Sequence, residues 1–380
     1  MTSQRLRESR SVPFIKPYLP EPDALLDDFR AIVASGYLTK GRYLEEFERR
    51  ASEVLDASFA VGVSSCTTGL MLLLMKLGRD GGEVILPSFT FVASALPVVW
   101  NNLEPVFVDC HPDTLNIDPQ CVEEAITPRT RAILATHVFG NPADTDALQA
   151  IAEKHALALF FDAAHGFGAS WRGAGLGNLG TGSAFSCTPT KLVVAGEGGV
   201  VTTADEELAN MVRVAREYGN PGDYNNTLIG LNGRLPELSA LLAVKTIELL
   251  EENVGRRRQI ASRYRSELGK LPGISFQHIN PEGESSYKDF AILIDHKEFG
   301  ASRDAVAQHL KQRGIDTRKY FDPPVHLQTA FAQWAERYRG RLPVTEMVAE
   351  RVLCLPIYAG LTDEDVDYVV ECIAEAGGHV

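Results

Sequence analysis

Short runs of β-branched and apolar residues alternate with longer amphipathic stretches over the first two-thirds of the chain. Seven runs have the length and composition of strands, at 59–63, 83–86, 105–109, 132–136, 158–162, 184–187 and 199–202. Helical spacing of apolar residues is found between them, at 68–77, 119–126 and 144–155. Because strands that alternate with helices form a largely parallel sheet covered on both faces, this region is predicted to be an α/β domain.

The pattern changes in the last third of the chain. Residues 235–253 predict one long helix, because acidic residues recur among apolar positions at helical spacing. Beyond it, a strand at 289–293 and a helix at 302–313 indicate a smaller α+β unit. The predicted organisation is a flexible tail at 1–12, a large domain at 13–250 and a small C-terminal domain at 251–380.

Composition and charge limit the possible functions. Of the 380 residues, 45% are hydrophobic and 23% are charged, as in an ordinary soluble protein with a sizeable core. The formal net charge of −13 argues against a nucleic-acid-binding surface, which requires a basic face. The most apolar stretch, residues 84–100, is interrupted by proline and hydroxyl residues and is too short to cross a membrane.

The cysteines and the N-terminus indicate the compartment. Six cysteines are scattered along the chain without a C-x-x-C pair, which is typical of reduced intracellular thiols. Residues 1–11 carry three arginines and no apolar segment, so they do not form a secretory signal. The sequence therefore predicts a cytoplasmic protein.

Lys191 stands in an apolar segment that follows a predicted strand. Lysines are rarely buried without a partner, and desolvation lowers the pKa of an amine and leaves a nucleophile that can form a Schiff base. The alternative is an ordinary lysine whose stem packs against the protein while its ammonium reaches water. Both interpretations stay open on this segment alone.

Asp162 ends a strongly apolar predicted strand, the position at which α/β sheets place ligand-binding residues. A carboxylate there can keep a pyridine nitrogen protonated, although aspartate also caps helices at such positions. His165 follows three residues later and could contact the same ligand or only pack. At residues 63–70, a strand leads through Thr67 and Thr68 into a helix, an arrangement that suits either a phosphate site or a plain helix cap.

Other motifs receive little support. Residues 175–180 match the dinucleotide fingerprint G-x-G-x-x-G, but the pattern before them is not a strand and the pattern after them is strand-like instead of helical. The sequence has no H-E-x-x-H, no clustered Cys and His residues and no G-x-S-x-G. A metal site and a serine hydrolase are therefore not predicted.

Considered together, the order and spacing of these blocks resemble the DegT type of sugar-nucleotide aminotransferase, a family of fold-type I enzymes that use pyridoxal 5′-phosphate (PLP). The resemblance extends from about residue 13 to about residue 373. The blocks that carry it are 35–41, 64–70, 86–93, 136–140, 162–165, 185–191, 230–234, 324–326 and 355–362. It implies a large domain with a mostly parallel seven-stranded sheet between helices and a smaller α+β C-terminal domain.

The resemblance also assigns roles to individual residues. It implies that Lys191 forms the Schiff base with PLP and that Asp162 pairs with the pyridine nitrogen. The other cofactor positions are Phe91 stacked on the ring, Thr67, Thr68 and Ser186 at the phosphate, and His165 near the ring oxygen. Asn232 would reach the phosphate of the neighbouring subunit, which implies a homodimer. The candidate substrate residues are Arg234, His326 and Lys40.

The implied reaction is a ping-pong transfer of the amino group of glutamate to a nucleotide-linked keto-deoxy sugar. The predicted acceptor is dTDP-4-keto-6-deoxyglucose, aminated at C4, and a 3-keto sugar nucleotide or an inosose is the alternative. A PLP-dependent sugar dehydratase would carry histidine where Lys191 stands. A regulatory protein without turnover would not need Lys191 and Asp162 together. Gly233 and Cys187 depart from the bulkier residues common in the family, which leaves the substrate contacts open.

Overall fold

The computed structural model describes residues 10–78 and 80–379, and within these ranges it contains thirteen strands and fourteen α-helices. The strands are β1 (Phe59–Val63), β2 (Glu83–Pro87), β3 (Glu104–Val108), β4 (Thr130–Thr136), β5 (Ala158–Asp162), β6 (Ser170–Trp171), β7 (Ala174–Gly175), β8 (Gly182–Ser186), β9 (Gly199–Thr203), β10 (Ile274–Phe276), β11 (Gly283–Glu284), β12 (Phe290–Ile294) and β13 (Val352–Leu355). The helices are α1 (Asp23–Ser35), α2 (Arg42–Val54), α3 (Cys66–Leu74), α4 (Val92–Trp100), α5 (Pro119–Glu124), α6 (Thr145–His155), α7 (Glu206–Ala215), α8 (Glu237–Ile247), α9 (Leu250–Leu268), α10 (His296–Phe299), α11 (Arg303–Gln312), α12 (Ala332–Tyr338), α13 (Pro343–Arg351) and α14 (Asp363–Gly377).

Seven strands form the central sheet, in the order β1-β9-β8-β5-β4-β2-β3. Strand β9 is antiparallel to both of its neighbours, whereas the other adjacent pairs are parallel. The strands are buried almost throughout, and apolar clusters lie on both faces of the sheet. This arrangement confirms the predicted fold class, because a mainly parallel sheet needs helices on both faces.

A three-stranded antiparallel sheet, β10-β12-β13, forms the centre of the C-terminal part. Its apolar core includes residues of α9, α11 and α14. Val12 is buried in this core and pairs with Ile315, so the expectation of a loose tail is wrong at this residue. The remainder of the predicted tail, residues 1–9, lies outside the described residues.

The single long helix predicted at 235–253 is wrong: the structure has two helices, α8 and α9, with a break at Glu248 and Leu249. Just before the break, the Thr246 hydroxyl lies 3.1 Å from the carbonyl oxygens of both Ala243 and Val194, where it can donate to one or share its proton between them. Helix α9 begins in the core of the large sheet and ends in that of the small sheet. The boundary at 250/251 stays a prediction.

Glu237, the first residue of α8, ties two distant segments together. Its buried carboxylate accepts hydrogen bonds from the backbone N–H groups of Gly41, Tyr43 and Leu44, each at 3.0 Å. These groups belong to the first turn of α2, which has no capping side chain of its own. Glu237 thus caps α2 from a position almost two hundred residues away in sequence.

The six cysteines, all within the described ranges, are unpaired. In those same ranges, no helix combines the length and the apolar character needed to cross a membrane.

Candidate active site

The carboxyl ends of the parallel strands bring the predicted site residues to one edge of the sheet. In the β4–β5 ladder Thr136 lies opposite Asp162, the last residue of β5. Strand β8 ends beside them at Ser186, which pairs with Gly199 of β9. A side chain at Gly199 would meet the backbone nitrogen of Cys66 at 2.7 Å, so only glycine lets α3 begin this close to the sheet.

A cavity of about 300 Å³ opens at this edge. Six of the residues predicted to bind the cofactor line it: Thr67, Phe91, Asp162, His165, Ser186 and Lys191. The other lining residues are Ser65, Cys66, Thr90, Ala93, Thr136, Ala164, Thr188, Thr190, Glu197, Lys288, Tyr320 and Phe321. The fold therefore gathers side chains from most of the predicted blocks around one space.

Lys191 lies in the loop between β8 and β9. The base of this loop is closed by hydrogen bonds from the Cys187 N–H to Gly198 and from the Ala195 N–H to Cys187. Burial, and then the charge of Lys288, lower the pKa of Lys191 to about 8. Its amine is therefore a far better nucleophile near neutral pH than that of an exposed lysine.

The carboxylate of Asp162 is 4% exposed and accepts hydrogen bonds on both oxygens. Oδ1 accepts from the Ala164 N–H at 3.0 Å and lies 3.8 Å from the sulfur of Cys66, and Oδ2 accepts from the Ser94 hydroxyl at 2.5 Å. Burial raises the pKa of Asp162, while these hydrogen bonds act against the rise by stabilising the ionised form.

A chain of three buried hydroxyls ends on Asp162. Ser94 Oγ lies 2.7 Å from Thr90 Oγ1, which lies 3.1 Å from Thr136 Oγ1. An ionised carboxylate can only accept, so Ser94 must donate to it. Ser94 then accepts from Thr90, and Thr90 accepts from Thr136. Every hydroxyl in the chain is thus oriented to stabilise the negative charge of Asp162.

The start of α3 is suited to bind an anion. Ser65 caps the helix by accepting a hydrogen bond from the Thr68 N–H, and the Thr68 hydroxyl bonds to Ser64 and Ser65. The first amide groups of a helix lack intrahelical acceptors and carry partial positive charge. Thr67 lines the cavity here, whereas the Thr68 hydroxyl is used within the cap.

PLP fits this set of residues. Phe91 is 59% exposed and presents its ring at the cavity, which allows it to stack on a flat heterocycle. His165 Nδ1 is buried and has no hydrogen-bond partner within the described residues, as expected of a group that a ligand would satisfy. Burial, and then the charge of Lys191, hold the pKa of His165 well below its usual value. Its ring is therefore neutral.

The predicted substrate residues lie elsewhere. Lys40 and Arg234 both pair with Glu217 Oε2, at 3.0 and 3.1 Å, outside the cavity lining. His326 is fully buried between Ser88, 2.6 Å from Nδ1, and Glu346, 3.3 Å from Nε2. With both ring nitrogens in contact with protein groups, His326 has a structural position in this chain and is not brought to the cavity. Asn232 is exposed and also lies outside the lining.

Sequence reasoning missed Ser94, Lys288 and Tyr320. Ser94 is the third residue of α4, and no motif at that position identifies it as a partner of Asp162. Lys288 and Tyr320 come from the C-terminal part, about a hundred residues or more beyond Lys191. One feature of the sequence could have indicated Lys288: it stands directly before Asp289, the first residue of the predicted apolar strand at 289–293.

Comparison with known proteins agrees with this geometry. Residues 22–374 match the DegT/DnrJ/EryC1/StrS aminotransferase family. The dTDP-3-amino-3,4,6-trideoxy-alpha-D-glucose transaminase of Streptomyces venezuelae is 39% identical over 346 residues, covering 90% of this chain and 89% of the relative.

Solved structures give the same result. DesI in the presence of its TDP-sugar product superimposes with a TM-score of 0.89 at 34% identity, covering 98% of this chain and 95% of DesI. The PLP-form of Spr1654 from Streptococcus pneumoniae superimposes with a TM-score of 0.88 at 25% identity, covering 97% and 99% of the two chains. A PMP-form of Spr1654 is also similar. The chain thus belongs to the DegT/DnrJ/EryC1/StrS family and is a PLP-dependent sugar aminotransferase.

Proposed function

We propose that the enzyme binds PLP covalently at Lys191 and moves the amino group of glutamate to a nucleotide-linked keto-deoxy sugar. The observation that carries this proposal is the meeting of Lys191, Asp162, Phe91 and the start of α3 around one cavity. When bound, PLP supplies an electron sink that stabilises negative charge at the carbon that loses or gains the amino group.

Each of these residues has a distinct part in the reaction. Asp162 would keep the pyridine nitrogen protonated, Phe91 would stack on the ring, and Thr67, Ser186 and the first amides of α3 would hold the phosphate. His165 Nδ1 would contact the ring oxygen. The hydroxyl and the backbone N–H of Thr68 are both used in the helix cap, so Thr68 would contribute to the phosphate site by holding this loop in place.

Lys191 acts a second time, as a proton carrier. When it is free, its amine would take the proton from Cα of the donor, hold it and release it again. A pKa of about 8 suits this exchange, because the amine can both accept and release a proton near neutral pH. The same steps in reverse aminate the acceptor, which gives a ping-pong cycle.

The active site is proposed to be completed in a homodimer by Asn232 of the neighbouring subunit. The Ser64 N–H donates to the carbonyl of Gly233, so the strip that contains Asn232 runs beside the start of α3. Asn232 itself is exposed there and does not line the cavity of its own chain. An exposed amide at this place is available to a second copy.

For the acceptor, we propose dTDP-4-keto-6-deoxyglucose aminated at C4. The second candidate position is C3. The observation in its favour is the name of the Streptomyces venezuelae relative, in which the amino group of the sugar is at C3. Lys40 and Arg234 are proposed to bind the diphosphate, which would compete with Glu217 for their charges.

Two measurements test this function. Borohydride treatment of the purified enzyme should fix the cofactor on Lys191, as located by mass spectrometry of the peptides.

In a separate sample, the aminated enzyme should be mixed with matched 3-keto and 4-keto sugar nucleotides and with an inosose. Faster recovery of the original absorbance with the 4-keto sugar is expected. Faster recovery with the 3-keto sugar nucleotide or with the inosose would show that this compound is the better acceptor and would contradict amination at C4. An adduct on another lysine would contradict the role of Lys191.

A further inference from the structure

Lys288 lines the same cavity as Lys191, and its charge helps to lower the pKa of Lys191, but the proposed reaction gives Lys288 no ligand of its own. Its side chain is 3% exposed, and its ammonium contacts both carboxylate oxygens of Asp289 at 2.9 and 3.0 Å. The ammonium also lies 5.8 Å from the centre of the Tyr320 ring, another part of the cavity wall. A deeply buried lysine needs a partner for its charge, and Asp289 is that partner here.

The backbone around Lys288 is tied to the loop that carries Lys191. The buried guanidinium of Arg257 donates to the carbonyls of Tyr287 and Lys288, and its Nε donates to Asn253. Asn253 in turn donates to the carbonyl of Leu192, next to Lys191. The backbone at Lys288 and at Leu192, the residue after Lys191, is therefore tied to α9.

The charges that line the cavity make Lys288 distinctive. Among the described lining residues, the cationic side chains are Lys191 and Lys288, since the His165 ring is neutral. The amine of Lys191 would be occupied by its covalent bond to the cofactor. Lys288 is then the remaining cation of the wall that could meet an anionic group on a substrate.

We propose that Lys288 binds a carboxylate of the amino donor. This inference rests on the proposed function, in which an amino acid enters the cavity. The α-carboxylate of any amino acid is one bond from the carbon that gives up its amino group, so it must enter the cavity that holds Lys191. The diphosphate of a sugar nucleotide is attached at C1, several bonds from a carbonyl at C3 or C4, and can remain outside.

The ammonium of Lys288 can accommodate this ligand. It has three N–H donors, and Asp289 occupies two of them at most through its two oxygens, which leaves a donor for the substrate. The carboxylate of Asp289 offsets the lysine charge while the donor is absent. Removing that carboxylate should therefore leave the binding of an anionic donor intact or strengthen it.

The experiment measures binding of glutarate, a dicarboxylate that lacks an amino group and cannot react, to the PLP-loaded enzyme by calorimetry. The matched pair is D289N and K288M/D289N, which differ only at Lys288 and leave no unpaired buried carboxylate. We expect D289N to bind glutarate at least as tightly as the wild type and K288M/D289N to bind it about 10- to 100-fold more weakly. K270M, which removes an exposed lysine, should behave as the wild type.

The dissociation constant of K288M/D289N decides the proposal. A value equal to that of D289N would overturn it, as would a wild type that does not bind glutarate. Borohydride labelling of Lys191 reports separately on the proposed function. Labelled Lys191 with Lys288-independent glutarate binding would contradict the Lys288 assignment alone. Unlabelled Lys191 with Lys288-dependent glutarate binding would contradict the proposed function alone.

Discussion

The hydroxyl of Ser94 donates a 2.5 Å hydrogen bond to Oδ2 of Asp162, and both side chains are buried. Burial disfavours the charged form of Asp162, but the proposed reaction requires that form. Ser94, supported by Thr90 and Thr136, opposes the effect of burial from inside the protein. The supporting hydroxyls are thus part of how this fold keeps a carboxylate ionised where water is excluded.

Replacing Ser94 with alanine should move the acid limb of the pH–kcat profile to higher pH. The hydrogen bond from Ser94 lowers the pKa of Asp162, so its loss raises that pKa and the ionised form disappears earlier as the pH falls. Thr136→Val, which removes the far end of the chain, should produce a smaller displacement. Superimposable profiles for the wild type and Ser94→Ala would show that the hydroxyl chain does not tune Asp162.

Asp162→Ala should abolish nearly all transamination while leaving the fold intact. Without the carboxylate the pyridine nitrogen is neutral, and a loss in kcat of about 100-fold or more is expected. Circular dichroism should match the wild type, and steady-state assays should reveal the loss. Near-normal turnover with bound PLP would reduce Asp162 to a structural partner of Ala164 and Ser94.

In enzyme stripped of PLP, the amine of Lys191 should titrate with a midpoint near pH 8. Burial and the charge of Lys288 lower its pKa to about 8, so its reactive neutral form predominates above that pH and is lost below it. Competitive acetylation followed by mass spectrometry would compare Lys191 with the exposed Lys270. The K288M/D289N variant should have a higher midpoint for Lys191 than D289N. A Lys191 midpoint equal to that of Lys270 would contradict this account.

Glu237→Ala should destabilise the protein by about 2 to 3 kcal/mol, because three backbone N–H groups at the start of α2 lose a charged acceptor. Urea unfolding of the cofactor-free protein measures the change. Glu251→Ala, at an exposed position of α9, should change stability by no more than about 0.5 kcal/mol. Equal effects of the two substitutions would show that the cap on α2 contributes little.

Subunit mixing tests the proposed role of Asn232. If Asn232 completes the site of its neighbour, Asn232→Ala and Lys191→Ala homodimers should each be nearly inactive. An equal mixture, exchanged and reassembled, should then recover about a quarter of wild-type activity, since one site of each mixed dimer is intact. Two Lys191→Ala preparations mixed in the same way serve as the control. A monomer with full activity would refute both the dimer and the role of Asn232.

The sequence alone determined the fold class and the meeting of the main site residues at one edge of the sheet. Strand and helix periods are local properties, so the alternating α/β pattern predicted the fold class that the structure confirms. The blocks around Thr67, Asp162 and Lys191 each end or follow a strand of a parallel sheet. Because such strands present their carboxyl ends at one edge, the convergence of these residues also follows from the sequence. The family resemblance, confirmed by comparison, added the cofactor.

Only the tertiary structure decided which side chains face that cofactor site and which are used in packing. The buried position of His326 between Ser88 and Glu346, and the shared contact of Lys40 and Arg234 with Glu217, depend on segments far apart in sequence. The hydroxyl chain that ends on Asp162 and the placement of Lys288 and Lys191 in one cavity have the same origin. Burial and hydrogen-bond partners are set by how elements pack, and no local pattern encodes a contact between residues a hundred positions apart.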